Sequence, residues 1–172
     1  KGYSLSPKTK KDLYYTINGD DISNSVIADI RDLNRLKDEI IDFKPDFIFH
    51  LAAQPLVKKS YEEPVSTFET NLNGTINLLE SLRAFKKKCS VIFVTTDKVY
   101  DNKNWIYPYR ENDRLGGQDP YSSSKAASEL IIESYKKSFF NLSNYSAHNK
   151  GIATARAGNV IGGGDWSENR II

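Results

Sequence analysis

The sequence predicts an α/β fold built on a doubly wound parallel sheet, and three observations carry that reading. Apolar runs of strand length, clearest at 47–53 and 90–96, alternate with stretches whose apolar residues recur at helical spacing. The strand runs are nearly continuous rather than alternating, as expected where helices cover both faces of a sheet. Small and polar residues gather where each run ends, at Asp29, Ala52-Ala53-Gln54, Thr95-Thr96-Asp97-Lys98 and Ala157-Gly158-Asn159. In sheets of this class the ligand sits beyond the carboxyl ends of the strands.

The elements follow in order. Residues 1–21 are polar, rich in lysine and interrupted by Pro7, and read as a loop or frayed terminus. A short strand signal at 25–29 leads to Asp32, an N-cap for a helix over 32–43 whose apolar positions are Leu33, Leu36, Ile40 and Ile41. Pro45 stops that helix, and 47–53 is a strand expected to be buried on both faces. Pro64 opens a helix through Phe68, Leu72, Ile76, Leu79 and Leu82 to about Phe85. A strand at 90–96 is followed by a long loop over 101–119 containing Pro108, Gly116 and Gly117. Pro120 starts a helix through Ala127, Leu130, Ile131 and Tyr135; a last strand occupies 151–156, before Gly162-Gly163-Gly164.

Composition removes several classes of function. The 24 basic and 22 acidic residues leave a net charge of +2, too balanced for nucleic-acid or membrane binding driven by bulk charge. No apolar run reaches the roughly 18 residues of a membrane span. His50, His148 and the single Cys89 have no metal-ligand spacing, so no metal is expected. One cysteine forms no internal disulfide, which fits a reducing compartment and hence the cytoplasm. The chain contains no methionine and begins Lys1-Gly2-Tyr3, and is expected to be a piece of a longer protein.

Tyr121 and Lys125 stand four apart at the start of a helix and therefore share a face. A lysine ammonium one turn away favours the phenolate of a tyrosine whose free pKa is near 10, making a proton acceptor for an alcohol. The plainer reading is a chance pair on a solvated face. Asp97, past a buried strand, is a candidate general acid if burial raises its pKa, with Lys98 a base or enolate stabiliser. Otherwise the two form a turn in which Asp97 caps a helix or pairs with Lys98. Asp29 either accepts hydrogen bonds from an adenosine moiety or caps the next helix. Ala52 and Ala53 allow a flat cofactor close to the backbone. The triple glycine is a phosphate-tolerant loop but no phosphate-binding fingerprint. His50 reads as a core histidine, and Trp105, Tyr107 and Tyr109 as stacking residues or local packing.

Taken in order, Asp29-Ile-Arg-Asp32, His50-Leu-Ala-Ala-Gln54, Asn71-Leu-Asn-Gly-Thr75, Thr95-Thr-Asp-Lys-Val-Tyr100 and Tyr121-Ser-Ser-Ser-Lys125 resemble the extended short-chain dehydrogenase/reductase family. Longer stretches, His50 to Val57, Ser60-Tyr-Glu-Glu-Pro64, Gly116 to Lys125 and Arg156 to Trp166, are similar to its nucleotide-sugar 4,6-dehydratases of the CDP-glucose branch. The resemblance implies an NAD-dependent enzyme that oxidises C4 of CDP-glucose, eliminates water across C5–C6 and returns the hydride to C6, in deoxysugar and O-antigen synthesis. It implies catalytic roles for Thr96, Asp97, Lys98, Tyr121 and Lys125. NAD would meet Asp29, Ile30, Leu51, Ala52, Ala53, Thr95, Tyr121 and Lys125, and the nucleotide sugar Gln54, Asn159 and Arg170. It further implies a homodimer or homotetramer, and a glycine-rich turn with its central strand before Lys1 and a substrate-binding part after Ile172. Residues 1–172 are thus a partial NAD-binding domain. The alternatives are a dehydratase of UDP-N-acetyl sugars, in which methionine is expected in place of Tyr121, an epimerase, and a nucleotide-sensing or inert fragment.

Overall fold

A computed structural model describes residues 1–166. Arg170, expected at the substrate, lies outside the described residues. The expected α/β alternation is present, with all strand pairs parallel. The chain runs β1 (Gly2–Ser4), α1 (Leu13–Thr16), α2 (Gly19–Ile22), β2 (Ser25–Ile27), α3 (Leu33–Phe43), β3 (Phe47–His50), α4 (Val57–Glu62) and α5 (Pro64–Phe68). After a π-helical turn over Glu69–Asn73 come α6 (Gly74–Ala84), β4 (Cys89–Thr96), α7 (Pro120–Ser138), α8 (Tyr145–His148) and β5 (Lys150–Ala157).

Local chemistry explains the boundaries. The Asp32 carboxylate accepts from the Arg35 N–H at 3.0 Å and caps α3, which ends at Lys44 with φ +57° just before Pro45. The helix α7 starts with Pro120 in its first turn and a capping box in which Asp119 and Ser122 exchange side-chain-to-backbone bonds of 3.0 and 3.1 Å. Gly117 is required here, because a Cβ would lie 2.2 Å from the backbone of Ser122 and Ser123. Lys136 and Lys137 close the helix at its negative end.

The strands form two sheets, β1-β2 and β3-β4-β5. A core of Leu36, Ile40, Leu78, Leu79, Leu82, Val91, Phe93 and Ile132 joins α3, α6 and α7 to one face of the larger sheet. Its other face is less covered: Phe47 is 70% and Phe49 63% exposed. The expectation that 47–53 is buried on both faces is therefore corrected, since helices cover one side only. Between the free edges of β1 and β3 lies a cleft of about 680 Å³ lined by Tyr3, Ser4, Ile40, Phe47, Phe49 and Leu51.

The first 21 residues are also more ordered than their polarity suggests. Gly2–Ser4 pairs in register with Ser25–Ile27, and Tyr3 donates to the Asp29 carbonyl at 3.0 Å. No helix among the described residues is long and apolar enough to cross a membrane.

Candidate functional site

The carboxyl ends of the parallel strands bring most of the expected residues to one side of the molecule. Beyond β4, Thr96 caps a tight turn over Asp97–Val99, its hydroxyl accepting from the Lys98 N–H at 3.3 Å and donating to Asp97 Oδ1 at 3.2 Å. Lys98 Nζ lies 3.3 Å from the same oxygen. This pair is open to solvent, with the Asp97 side chain 55% and that of Lys98 46% exposed. Of the two arrangements open to Asp97, the turn realises the pairing of its carboxylate with Lys98. The end of β5 closes against it: a Cβ on Gly158 would meet Asp97 Oδ2 at 3.5 Å. Asn159, the next residue, is exposed.

Opposite this turn, α7 presents Tyr121 and Lys125 from one face. Lys125 is buried, and its ammonium donates to the Val94 carbonyl at 3.1 Å. Burial pulls its pKa down to about 8, with the nearby Glu129 carboxylate opposing the fall. Two of its three N–H donors remain for other acceptors. Tyr121, in the first turn, is half-buried. A chance pair on a solvated face does not have this character.

Asn71, part of a motif quoted above but given no role there, is buried beside the dyad. The π turn inserts one residue into the α5–α6 helix and turns Asn71 inward, where it is 2% exposed. Its amide accepts from the Gln54 N–H at 2.7 Å and donates to the Gln54 carbonyl at 3.2 Å and to Ser124 Oγ at 2.8 Å. It therefore ties the loop after β3 to α7, one residue from Lys125. The signal was an amide at a helical position otherwise occupied by core residues.

Other expected site residues are engaged locally. Gln54, assigned to substrate, gives its side-chain N–H groups to the Leu56 carbonyl and Thr67 Oγ1. Ile30, assigned to the cofactor, is in the core, where it lies against Gly74. The Thr95 hydroxyl donates to Glu129 Oε1 at 2.5 Å. Asp29 is gripped by Arg31 through the backbone N–H at 2.9 Å and the guanidinium at 2.6 Å, which holds its carboxyl below the usual range. Asp32, not Asp29, caps α3. Leu51 is exposed, and Ala52 and Ala53 are partly so, at the end of β3. His50 is a core histidine, edge-on to Phe93 at 5.4 Å and pulled by burial to about 4. Tyr109 stacks on Tyr100 at 4.9 Å and Trp105 tilts over Tyr109 at 5.6 Å, which is local packing of the loop. Gly162 and Gly163 stand in open space.

The donor set fits the two ends of a dinucleotide. A carboxylate at the end of β2 can accept from ribose hydroxyls, and Lys125 beside Tyr121 can donate to the ribose at the reacting end. Between them the described residues offer small side chains at Ala52 and Ala53.

The profile of the GDP-mannose 4,6 dehydratase family matches residues 8–150. A CDP-glucose 4,6-dehydratase of Salmonella typhimurium strain LT2 is 48% identical over 172 residues, covering 100% of this chain and 48% of that protein. A dTDP-D-glucose 4,6-dehydratase of Dictyostelium discoideum is 34% identical over 138 residues, covering 74% of this chain and 30% of its own length. Among solved structures, the UDP-glucose 4-epimerase of Thermus thermophilus in complex with NAD superposes with a TM-score of 0.65 at 29% identity, covering 77% of this chain and 40% of that one. A double mutant of dTDP-glucose 4,6-dehydratase from Streptomyces venezuelae, with NAD and DAU bound, gives 0.65 at 27% identity, covering 81% and 40%. The chain spans about half, or less, of the length of the relatives it matches.

Proposed function

The chain belongs to the GDP-mannose 4,6-dehydratase family, and from that premise we propose that it is the dinucleotide-binding half of an NAD-dependent enzyme converting CDP-D-glucose to CDP-4-dehydro-6-deoxy-D-glucose. The observation that carries this reading is the meeting of two devices at one sheet end. A buried lysine a turn from Tyr121 donates to the Val94 carbonyl, two residues before the Thr96 that caps the Asp97-Lys98 turn, and α7 packs on that turn. The choice of CDP-glucose rests on the 48% identity to the Salmonella enzyme.

In this reading the Lys125 ammonium favours the Tyr121 phenolate, which accepts the proton of the sugar 4-hydroxyl while the Thr96 hydroxyl orients that group. NAD, when bound, supplies an acceptor for the C4 hydride and later its donor to C6. Asp97, holding a proton passed from the Lys98 ammonium it pairs with, delivers it to the 6-hydroxyl, which leaves as water. Lys98 either, left neutral by that transfer, takes the C5 proton and returns it to C5 as the hydride reaches C6, or steadies the enolate beside Asp97. Asp29, Leu51, Ala52 and Ala53, with the backbones of Ile30 and Thr95, line the cofactor's path, and Tyr121 and Lys125 its reacting end. Gln54 and Asn159 contact the nucleotide sugar, and Arg170, outside the described residues, is assigned the same role.

The cleft between the sheets is the place of a further central strand. Its two walls are free parallel edges, whose unpaired N–H and C=O groups such a strand would pair. Residues 1–172 are then a partial domain of a longer polypeptide. Helices α4, α5 and α7 pack together and leave Tyr61, Val65 and Leu130 exposed, a face suited to a homodimer. A buried, unpaired Cys89 suits the cytoplasm.

The test is incubation of the complete polypeptide with CDP-glucose. A product absorbing as a 4-keto sugar in alkali should appear with the NAD content unchanged. Stoichiometric build-up of NADH would sink the reading, and an inverted sugar with no loss of water would assign epimerisation. By titration calorimetry the isolated 172-residue chain should not bind NAD at micromolar concentration. Micromolar binding would remove the strand from the cleft.

A further inference from the structure

We propose that Glu129 is the positioning residue of this site: clamped where β4 and β5 run beside α7, it sets a buried carboxylate one helical turn from Lys125 on one side and, through Arg156, anchors the 101–119 loop on the other. The inference deepens the function proposed above and rests on it for the role of Lys125.

Glu129 follows Lys125 by one helical turn, so the two project from the same face of α7. Its side chain is 4% exposed. The carboxylate receives the Thr95 hydroxyl at 2.5 Å, Arg156 Nε at 2.9 and 3.0 Å and Arg156 Nη2 at 2.5 Å. Thr95 and Arg156 are themselves register partners on β4 and β5. A buried ion pair is seldom kept for stability alone, because desolvation offsets most of its attraction. Here it has consequences in two directions.

Toward the loop, Arg156 Nη1 donates to the Glu111 carbonyl at 3.0 Å, and the guanidinium lies 4.7 Å over the Tyr100 ring. Tyr100 in turn stacks on Tyr109. The loop is therefore pinned at both of its arms by a guanidinium that Glu129 orients. Toward the dyad, burial weakens the Lys125 charge and Glu129 is the group that counters it. The ionisable groups on the elements around Lys125 are His50 on β3, Asp97 and Lys98 on the turn after β4, Arg156 on β5, and Tyr121 and Glu129 on α7. His50 is neutral near pH 7 and the Asp97-Lys98 pair is screened by water. Glu129 is thus the buried carboxylate beside the lysine, sharing its charge with Arg156.

The experiment compares the complete polypeptide with its Glu129→Gln, Glu129→Asp and Glu129→Gln/Arg156→Gln variants. Acetylation of Lys125 by acetic anhydride is followed against pH, peptide by peptide, by mass spectrometry. In Glu129→Gln the midpoint of Lys125 labelling should move down by about half a pH unit, a change of about threefold in reactive amine near neutrality, and in the double variant, which removes the Arg156 cation as well, by less. Tryptic cleavage after Lys103 and Arg110 should accelerate in the same two proteins. Glu129→Asp, which keeps the charge, should return the midpoint toward that of the wild type. An unmoved midpoint in a folded Glu129→Gln protein overturns the proposal. Failure of both glutamine variants to fold also overturns it, by leaving Glu129 a role in stability alone. The labelling needs no substrate, so inactivity on CDP-glucose would sink the function and leave this comparison standing.

Discussion

The two ionisable pairs at this sheet end are built in opposite ways. Tyr121 and Lys125 belong to a 19-residue helix with a capping box, and the lysine is buried against a strand carbonyl. Asp97 and Lys98 sit on a three-residue turn, each side chain about half exposed, and pair with one another across 3.3 Å. Burial gives the first pair a fixed geometry and a lysine whose proton affinity lies near working pH. Exposure leaves the second pair with little electrostatic leverage, because water screens it. The contrast teaches that the proton acceptor is assembled by the domain core, whereas the elimination pair gains its environment when something covers it, the substrate first of all.

Four outcomes would break or sharpen that contrast. The largest effect belongs to Tyr121→Phe in the complete enzyme, which should lower turnover of CDP-glucose by about 10⁴, near the upper worth of a proton acceptor, without a change in melting temperature. A loss below tenfold would place the proton acceptor elsewhere. Next, Asp97→Asn should slow elimination by about 10²–10⁴ while oxidation at C4 survives. Single-turnover exchange of the C5 proton beside product formation separates the steps, and an equal fall in both would make Asp97 an organiser of the site.

The third outcome concerns the core behind the dyad. Burial pulls His50 to about 4, against about 6.5 in an unfolded chain. Between these values the unfolded state binds a proton that the folded state refuses. Stability is therefore fully present above pH 6.5 and lost as pH falls toward 4, by about 3 kcal/mol in all. Urea midpoints should show this slope in the wild type and not in His50→Leu; an identical slope in both would assign the acid sensitivity to other groups. The smallest effect is that of Lys98→Gln on stability, under about 0.5 kcal/mol, since an exposed ion pair contributes little. A larger loss in the same urea titration would mean that the turn is more tightly built than its exposure implies.

Much of this architecture was legible in the residues. Asp32 and Pro45 bound α3, Asp119-Pro120 opens α7, and the uninterrupted apolar run at 90–96 is β4, because each is a local signal with a local cause. The dyad was legible for the same reason, since i, i+4 spacing on a capped helix fixes a shared face. What was not legible depends on distant partners. Gly2–Ser4 becomes a strand because Ser25–Ile27 offers an edge, not because its residues favour one. Asp97 follows an apolar strand, which left burial and a Lys98-paired turn both open, and the turn carries it outward to that pair. Glu129 looks like one more charge on a helix, and only the register of β4 with β5 brings Thr95 and Arg156 to it.

The π turn at Glu69–Asn73 has a consequence for insertions and deletions. A helix advances about 100° per residue, so one extra residue rotates everything downstream by that angle. Removing Leu72 would restore an unbroken α-helix, locally the more regular structure. It would also swing Leu78, Leu79 and Leu82 away from the core and withdraw the Asn71 amide from Gln54 and Ser124. The reading frame of this helix is thus a structural parameter in its own right, and a shortened variant that is more helical by circular dichroism should be the less stable protein.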